Sequence, residues 1–219
     1  MVISVLLCIL LAYLIGSINP AHLIGRLNGA DIRELGSGNA GASNVVINYG
    51  KLAGLFTALF DIFKATFAVH LCIRLFPLLT FAREIAGVCV ILGHIFPWYL
   101  HFRGGKGLAC LGGVILGNSV KVFVILLILA IVIALVTNYI CIVPITMSIA
   151  YPVLYVVLTG SIVGGAVYLV MPAVICWKHR ENLQRIKDGT EARFSYLWDK
   201  DKEMDRLQHN KDAQKVNRL

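Results

Sequence analysis

The chain has 219 residues, of which 58% are hydrophobic and only 15% charged, and its mean hydropathy is +0.78. Soluble domains are about half apolar and about a quarter charged, so a water-covered surface cannot be assembled from this composition. Disorder, a coiled coil and a free cytosolic enzyme are excluded, and the composition is that of a polytopic membrane protein.

The net charge is +8, and the charged residues are concentrated near one end, because eleven of the twenty Lys+Arg and eight of the twelve acids lie from Lys178 onward. Basic residues beside a bilayer set topology and attract anionic lipid. No aromatic-and-basic module for nucleic acid accompanies them, so membrane lipid is the expected partner and nucleic acid is not. The six cysteines, Cys8, Cys72, Cys89, Cys110, Cys141 and Cys176, are scattered through mostly apolar runs without a C-x-x-C. They read as buried thiols, and no metal site is expected.

A spanning helix needs about 20 mostly apolar residues. Val2–Leu27 qualifies, interrupted by Gly16-Ser17 and Asn19-Pro20. Its first half resembles a signal peptide but has no basic n-region or A-x-A site, so it is expected to stay as the first span. A polar, glycine-rich segment, 28–50, follows. The second span is expected at 51–76, closed by Pro77, and the third at 85–102, with Pro97 near its end. Segment 107–118 is apolar but at 1.5 Å per residue reaches only about half a bilayer. Val120–Thr137 is the cleanest span, and 142–158 and 161–177 follow, joined by a tight turn at Thr159-Gly160.

The fold class is therefore all-α, integral to the membrane, with about seven transmembrane helices. Residues 1–191 form the membrane domain and 192–219 a polar basic tail, either a membrane-surface helix or a solvated terminus. With an odd number of spans and a basic tail inside, the N-terminus lies outside and the C-terminus in the cytoplasm. Arg26, Arg33, Lys51, Arg103 and Lys106 then fall inside, against Arg74, Arg83 and Lys121 outside. Four polar stretches share the inner ends of spans: 36–44, 103–107, Thr137-Asn138 and 179–191. Their convergence points to a site.

Gly36-Ser37-Gly38-Asn39-Ala40-Gly41-Ala42-Ser43-Asn44 reads either as a flexible turn or as an anion nest, with backbone N–H groups, Ser37, Asn39, Ser43 and Asn44 as donors. Because it opens a helical segment, it also has an N-terminus that favours anions. Arg103-Gly104-Gly105-Lys106-Gly107 lacks the first glycine and the Ser/Thr of a Walker A loop. It still pairs two cations with glycines that let a phosphate approach; the alternative is a positive-inside anchor. His179, Asn182 and Arg185 recur every three residues and share a helical face, suited to a small phosphate ester or simply to solvent. Asp61 and Lys64, at i, i+3 inside the second span, read as a structural ion pair, since a lone charge there costs about 2.5–3.5 kcal/mol. His94 and Asn19-Pro20 lie near span ends. No His is followed five positions later by Asp, no G-x-S-x-G occurs, and no carboxylate cluster suggests Mg²⁺.

Together these stretches resemble the bacterial acyl-phosphate:glycerol-3-phosphate acyltransferase family. The resemblance rests on Gly16-Ser17-Ile18-Asn19-Pro20, Asp31-Ile32-Arg33 with 36–44, Asp61-Ile62-Phe63-Lys64, Gly93-His94-Ile95-Phe96-Pro97 with Gly104-Gly105-Lys106-Gly107, and His179, Asn182, Arg185 and Gly189-Thr190-Glu191. It implies seven helices in the bacterial cell membrane with a site facing the cytoplasm. An acyl chain would pass from acyl phosphate to the 1-hydroxyl of glycerol 3-phosphate, leaving lysophosphatidate and phosphate, with no cofactor or metal and a monomeric protein.

By the same resemblance Ser37, Lys106, His179 and Asn182 would be catalytic. Gly36, Gly38, Asn39, Gly41, Ser43, Asn44, His94, Arg103, Gly104, Gly105, Gly107 and Arg185 would bind substrate. The hydroxyl proton would go to His179 or to a phosphate oxygen. The chain departs from the family at Ile47, where an Arg is usual, at Cys110 in place of a Thr, and around Cys141 and Pro144, where serines are usual. Losing a charge-assisted hydrogen bond costs about 1.5–3 kcal/mol. The competing expectation is thus a weak or silent paralogue that binds phospholipid precursors or a partner enzyme.

Overall fold

The computed structural model describes residues 1–216, so the last three residues of the expected tail lie outside the described residues. Among the described residues all regular structure is helical: α1 (Val2–Ser17), α2 (Pro20–Leu27), α3 (Ala42–Tyr49), α4 (Lys51–Leu75), α5 (Ala82–Ile95), α6 (Leu108–Asn118), α7 (Val120–Thr137), α8 (Ile142–Thr159), α9 (Ile162–Tyr168), α10 (Val170–Lys187) and α11 (Lys200–Val216), with short 3-10 turns between some of them. Five stretches of the described residues are long and apolar enough to cross a membrane: Val2–Leu27, Lys51–Leu75, Val120–Thr137, Ile142–Thr159 and Ile162–Lys187. The other two expected spans are shorter, with 14 residues in α5 and 11 in α6.

Shortness has a packing reason. Most of α5 and α6 is buried, whereas α7 turns most of its Ile, Leu and Val side chains outward. In lipid, apolar exposure does not drive helices together, and small residues let them pack closely. Gly16 of α1 lies on the Val90 carbonyl of α5, Gly93 of α5 on the Tyr13 carbonyl of α1, and Gly113 of α6 on the Ile62 carbonyl of α4. A side chain at any of the three would meet backbone. The third span also ends earlier than the pattern suggests. Pro97 disfavours helix in the residue before it, and the chain leaves α5 at Ile95 through a 3-10 turn, Trp98–Leu100.

The interrupted first span is two helices. Asn19 caps α2, its Oδ1 accepting from the His22 N–H at 2.8 Å, and Pro20 takes the first helical position, where a missing N–H costs nothing. A break inside a membrane must find other partners for the carbonyls it frees. Here Lys64 Nζ donates to the Ile18 carbonyl at 2.5 Å and Tyr99 Oη to the Ser17 carbonyl at 2.9 Å. Gly160, in the left-handed region at φ 71°, makes the expected turn between α8 and α9. The seventh expected span is itself divided at Leu169, and α10 runs ten residues past Trp177 to Lys187.

Candidate active site

The ends of α2, α5 and α10 and the starts of α4, α6 and α8 meet on one side of the bundle, where three polar groups form.

The deepest group is Asp61 and Lys64 of α4 with His94 of α5. Lys64 Nζ is 2.6 Å from Asp61 Oδ1, and His94 Nδ1 is 3.3 Å from the same oxygen. All three are nearly inaccessible. Cys110 donates to the Asp61 carbonyl at 3.5 Å, so Asp61, His94 and Cys110 bring three possible metal ligands together. An ammonium already holds the carboxylate oxygen that a metal would need, and we assign no metal there.

The second group lies nearer the surface. Lys106, between α5 and α6, donates from Nζ to Asn182 Oδ1. Asn182 Nδ2 donates to Glu191 Oε1 at 2.5 Å, and Arg185 Nε to Glu191 Oε2 at 2.7 Å. The chain after α10 is turned back for this purpose, since the Thr190 and Glu191 N–H groups both donate to the Arg185 carbonyl, at 2.8 and 3.0 Å. His179, one turn before Asn182 and nearly buried, donates from Nδ1 to the Ile175 carbonyl at 2.8 Å. A carbonyl only accepts, so this bond puts the proton of a neutral ring on Nδ1 and leaves Nε2 as an acceptor.

Burial, helped by Arg185, pushes Lys106 down to about 8. Burial and the neighbouring Glu191 push the Cys141 thiol up to about 12. Pro144 sits in the first turn of α8, where an N–H has no intrahelical partner to lose, so the helix accepts it without strain.

The third group is the 31–44 loop. Asp31 and Arg33 pair at 2.6 Å, and Arg33 Nη1 donates to the Leu100 carbonyl at 2.7 Å. The Arg33 guanidinium holds the Asp31 carboxyl well below the usual carboxylate range. Fully buried Asn44 organises the loop: its Nδ2 donates to the Ile32 and Leu35 carbonyls at 2.8 and 2.9 Å, and its Oδ1 accepts from the Ser37 N–H at 2.9 Å. Ser37, Gly38 and Ser43 are exposed. Between this loop and the 101–103 segment lies an open cavity of about 440 Å³ lined by Asp31, Arg33, Glu34, His101 and Arg103.

Several expected ligands are engaged elsewhere. The Gly104 N–H donates to the Ile95 carbonyl at 3.0 Å and the Gly105 N–H to the His94 carbonyl at 3.1 Å, so neither amide is left for a phosphate. Both residues are glycine because they lie directly on His94, Gly104 on its carbonyl and Gly105 on its ring. Gly107, at φ 92°, starts α6 against Ile95. His94 itself belongs to the buried ion group. In the 31–44 loop the Gly38 and Gly41 N–H groups donate to the Leu35 and Asn39 carbonyls, and Gly36, at φ 54°, packs its Cα against Asn44. The nest is therefore narrower than its glycines suggest. The first amides of α3, Ala42 and Ser43, have no intrahelical partner and remain among its donors. Thr137-Asn138 joins the tail instead, Asn138 accepting from the Phe194 and Ser195 N–H groups at 2.7 and 2.8 Å. Glu191, the hub of the second group, was missed as a site residue, because its contacts come from a loop and follow no helical spacing.

Fold and site define a multi-pass membrane protein whose polar chemistry gathers at one end of an apolar bundle. Residues 6–189 match the family model for glycerol-3-phosphate acyltransferase. Glycerol-3-phosphate acyltransferase 1 of Deinococcus radiodurans is 38% identical over 194 residues, covering 89% of this chain and 98% of its own. The Thermus thermophilus glycerol-3-phosphate acyltransferase is 38% identical over 186 residues, 85% of this chain and 93% of its own. The crystal structure of PlsY, an integral membrane glycerol 3-phosphate acyltransferase, in its glycerol 3-phosphate form matches with a TM-score of 0.81 at 32% identity, over 89% of this chain and 97% of that one. Its lysophosphatidic acid form matches at 0.77 and 31%, over 87% and 95%. The chain belongs to the glycerol-3-phosphate acyltransferase family.

Proposed function

We propose that the protein transfers an acyl chain from acyl phosphate to the 1-hydroxyl of glycerol 3-phosphate, giving lysophosphatidate and phosphate. The observation that carries this reading is the Lys106–Asn182–Glu191–Arg185 chain beside His179. Relatives of this family are named for the acceptor, and the PlsY crystal forms for the acceptor and the lysophospholipid product. The acyl-phosphate donor rests on the resemblance and on chemistry, because phosphate is already a good leaving group. Positioning two anions then supplies most of the catalysis.

Lys106 and Arg185 take the phosphate of glycerol 3-phosphate, and Asn182 orients its glycerol end. The donor's phosphate faces Ser37, Ser43 and the first amides of α3, with Asn39 and Arg103 at its edge. The hydroxyl oxygen attacks the acyl carbonyl carbon, and its proton passes to His179 Nε2. The bond from that carbon to the phosphate oxygen breaks, and phosphate leaves with the electron pair. His94, Asn44, Gly104, Gly105 and Gly107 hold this arrangement from behind.

In this reading the chain crosses the membrane seven times, with α5 and α6 as short crossings inside the bundle, which puts residues 27, 51, 95, 107, 137, 142 and 187 on one side. That side faces the cytoplasm of a bacterial cell, as the basic loops favour. The test is phosphate release by the protein in lipid, supplied with a long-chain acyl phosphate and glycerol 3-phosphate. Release should need the acceptor and fall about 10²–10⁴-fold in His179→Ala, the usual worth of a general base. Release that is absent, or that does not need the acceptor, overturns the assignment and leaves the precursor-binding paralogue; acceptor-dependent release that survives in His179→Ala gives the proton to a phosphate oxygen instead.

A further inference from the structure

The family match ends at residue 189, yet the chain beyond it returns to the site. After α10 the backbone passes a 3-10 turn, Phe194–Leu197, anchored to Asn138, and enters α11. From α11, Arg206 reaches back with a two-pronged grip: Nη1 donates to the Gly189 carbonyl at 2.7 Å and Nη2 to the Glu191 carbonyl at 2.8 Å. Its planar fork is aimed by Glu203 on its own helix, 2.9 Å from Nε and 2.5 Å from Nη2. Glu203 in turn accepts from the Arg193 N–H at 2.8 Å. Asn210, one turn further along, donates to the Gly189 carbonyl at 2.7 Å. Arg206 and Glu203 are largely sheltered, at 18% and 6% side-chain exposure, so the grip is not a solvent-exposed charge contact.

We infer that α11 is a strap that positions the acceptor site, with Arg206 fixing the 189–191 backbone so that Glu191 holds Asn182 and Arg185. The contacts form one line: Arg206 to the Glu191 carbonyl, the Glu191 carboxylate to Asn182, and Asn182 to Lys106. Glu191 follows Gly189, at φ 68°, in a turn whose N–H groups bond back to α10, at Arg185 and Ile186, while its Gly189 and Glu191 carbonyls are taken by Arg206. Without Arg206 the turn keeps its bonds to α10 but loses this tie to α11, and Glu191 then holds Asn182 and Arg185 less firmly. Arg206 touches neither substrate nor reacting atoms, so it is a positioning residue. A fork that spans two carbonyls has no substitute in lysine.

The inference rests on the acyltransferase reading, and its test separates the two. Phosphate release is measured against glycerol 3-phosphate concentration at saturating acyl phosphate, for the wild type, Arg206→Ala and Arg206→Lys. We expect KM for glycerol 3-phosphate to rise about tenfold in both variants while kcat changes less than about threefold, since small misplacements cost up to about 10²-fold. A loss of folded protein lowers kcat alone and cannot imitate that split. The lysine variant carries the test where the alanine variant does not fold. Wild-type KM in the folded variants overturns the inference. A wild type with no acceptor-dependent release sinks the acyltransferase reading instead. Amide exchange at Thr190 and Glu191, faster in Arg206→Ala if the strap holds the turn, then still decides the clamp.

Discussion

Two lysine-centred groups lie at the same end of this bundle, and they differ in what faces the ammonium. Lys64 sits 2.6 Å from a carboxylate with no access to solvent, so its charge is cancelled inside the protein. Lys106 faces a neutral amide, Asn182, and the nearest carboxylate, Glu191, is bound to Asn182 and Arg185. With Glu191 paired to Arg185, Lys106 has no carboxylate in direct contact among the described residues and feels Glu191 and Glu181 only at a distance. The first arrangement is what a membrane requires of a buried charge; the second is what an anionic substrate requires of a site. The lesson is that the partner, not the lysine, separates framework from chemistry.

Removing the partner of Lys64 is the severest way to probe that comparison. Breaking one side of a buried pair costs about 3–5 kcal/mol, so Asp61→Ala should lose most of its thermal stability in detergent. The double variant Asp61→Leu with Lys64→Met should recover most of that loss and keep KM for glycerol 3-phosphate near wild type. A double variant that folds well but no longer binds the acceptor would make Lys64 part of the site and collapse the distinction.

On the open side, Lys106→Ala removes a cation that faces an amide and not a carboxylate, and should lower kcat/KM for glycerol 3-phosphate about 10²–10³-fold, as losing a preorganised charge does elsewhere. Stability should change little, because no buried charge is stranded. The same residue sets a pH dependence. Its ammonium is held down to about 8, so it is charged below that pH and neutral above it. KM should therefore climb as pH rises through about 8, by up to about tenfold per unit for one titrating group. In Lys106→Arg, with a guanidinium that stays charged, the climb should vanish. An alkaline limb that survives in the arginine variant assigns the titration to another group.

Sequence alone made much of the framework legible, for reasons specific to its residues. Apolar runs marked the long spans, and Asp61 and Lys64 announced their pairing by i, i+3 spacing. His179, Asn182 and Arg185 shared a helical face as their period requires. The glycines were harder, because glycine admits a phosphate and a packed neighbour equally well. Only the structure shows Gly104 and Gly105 lying on His94 with their amides spent. The short α5 was read too long because burial, not bilayer thickness, sets its length. Glu191 was visible only as the end of the Gly189-Thr190-Glu191 motif, with no sign of what it holds, and Arg206 left no pattern at all, since their partners arrive through turns and not through a repeat.

The smallest expected effect concerns the loop that holds the donor in our reading. Ser43 and Ile47 are four apart in α3, so they share one face, and Ile47 is half-buried there. The family resemblance leads to the expectation of an arginine at this position. If the donor's phosphate rests on Ser43 and the first turn of α3, a guanidinium one turn below it adds a charge-assisted bond worth about 1.5–3 kcal/mol at full strength. Partial exposure and the long side chain's lost rotamer freedom reduce that. Ile47→Arg should then lower KM for acyl phosphate about tenfold, leaving KM for glycerol 3-phosphate unchanged, because that acceptor is held by a different group of residues. A fall in the acceptor's KM instead would exchange the two substrates between the loop and Lys106. No change in either would remove the α3 face from the donor site and leave Ser37, Asn39 and Arg103 as its remaining contacts.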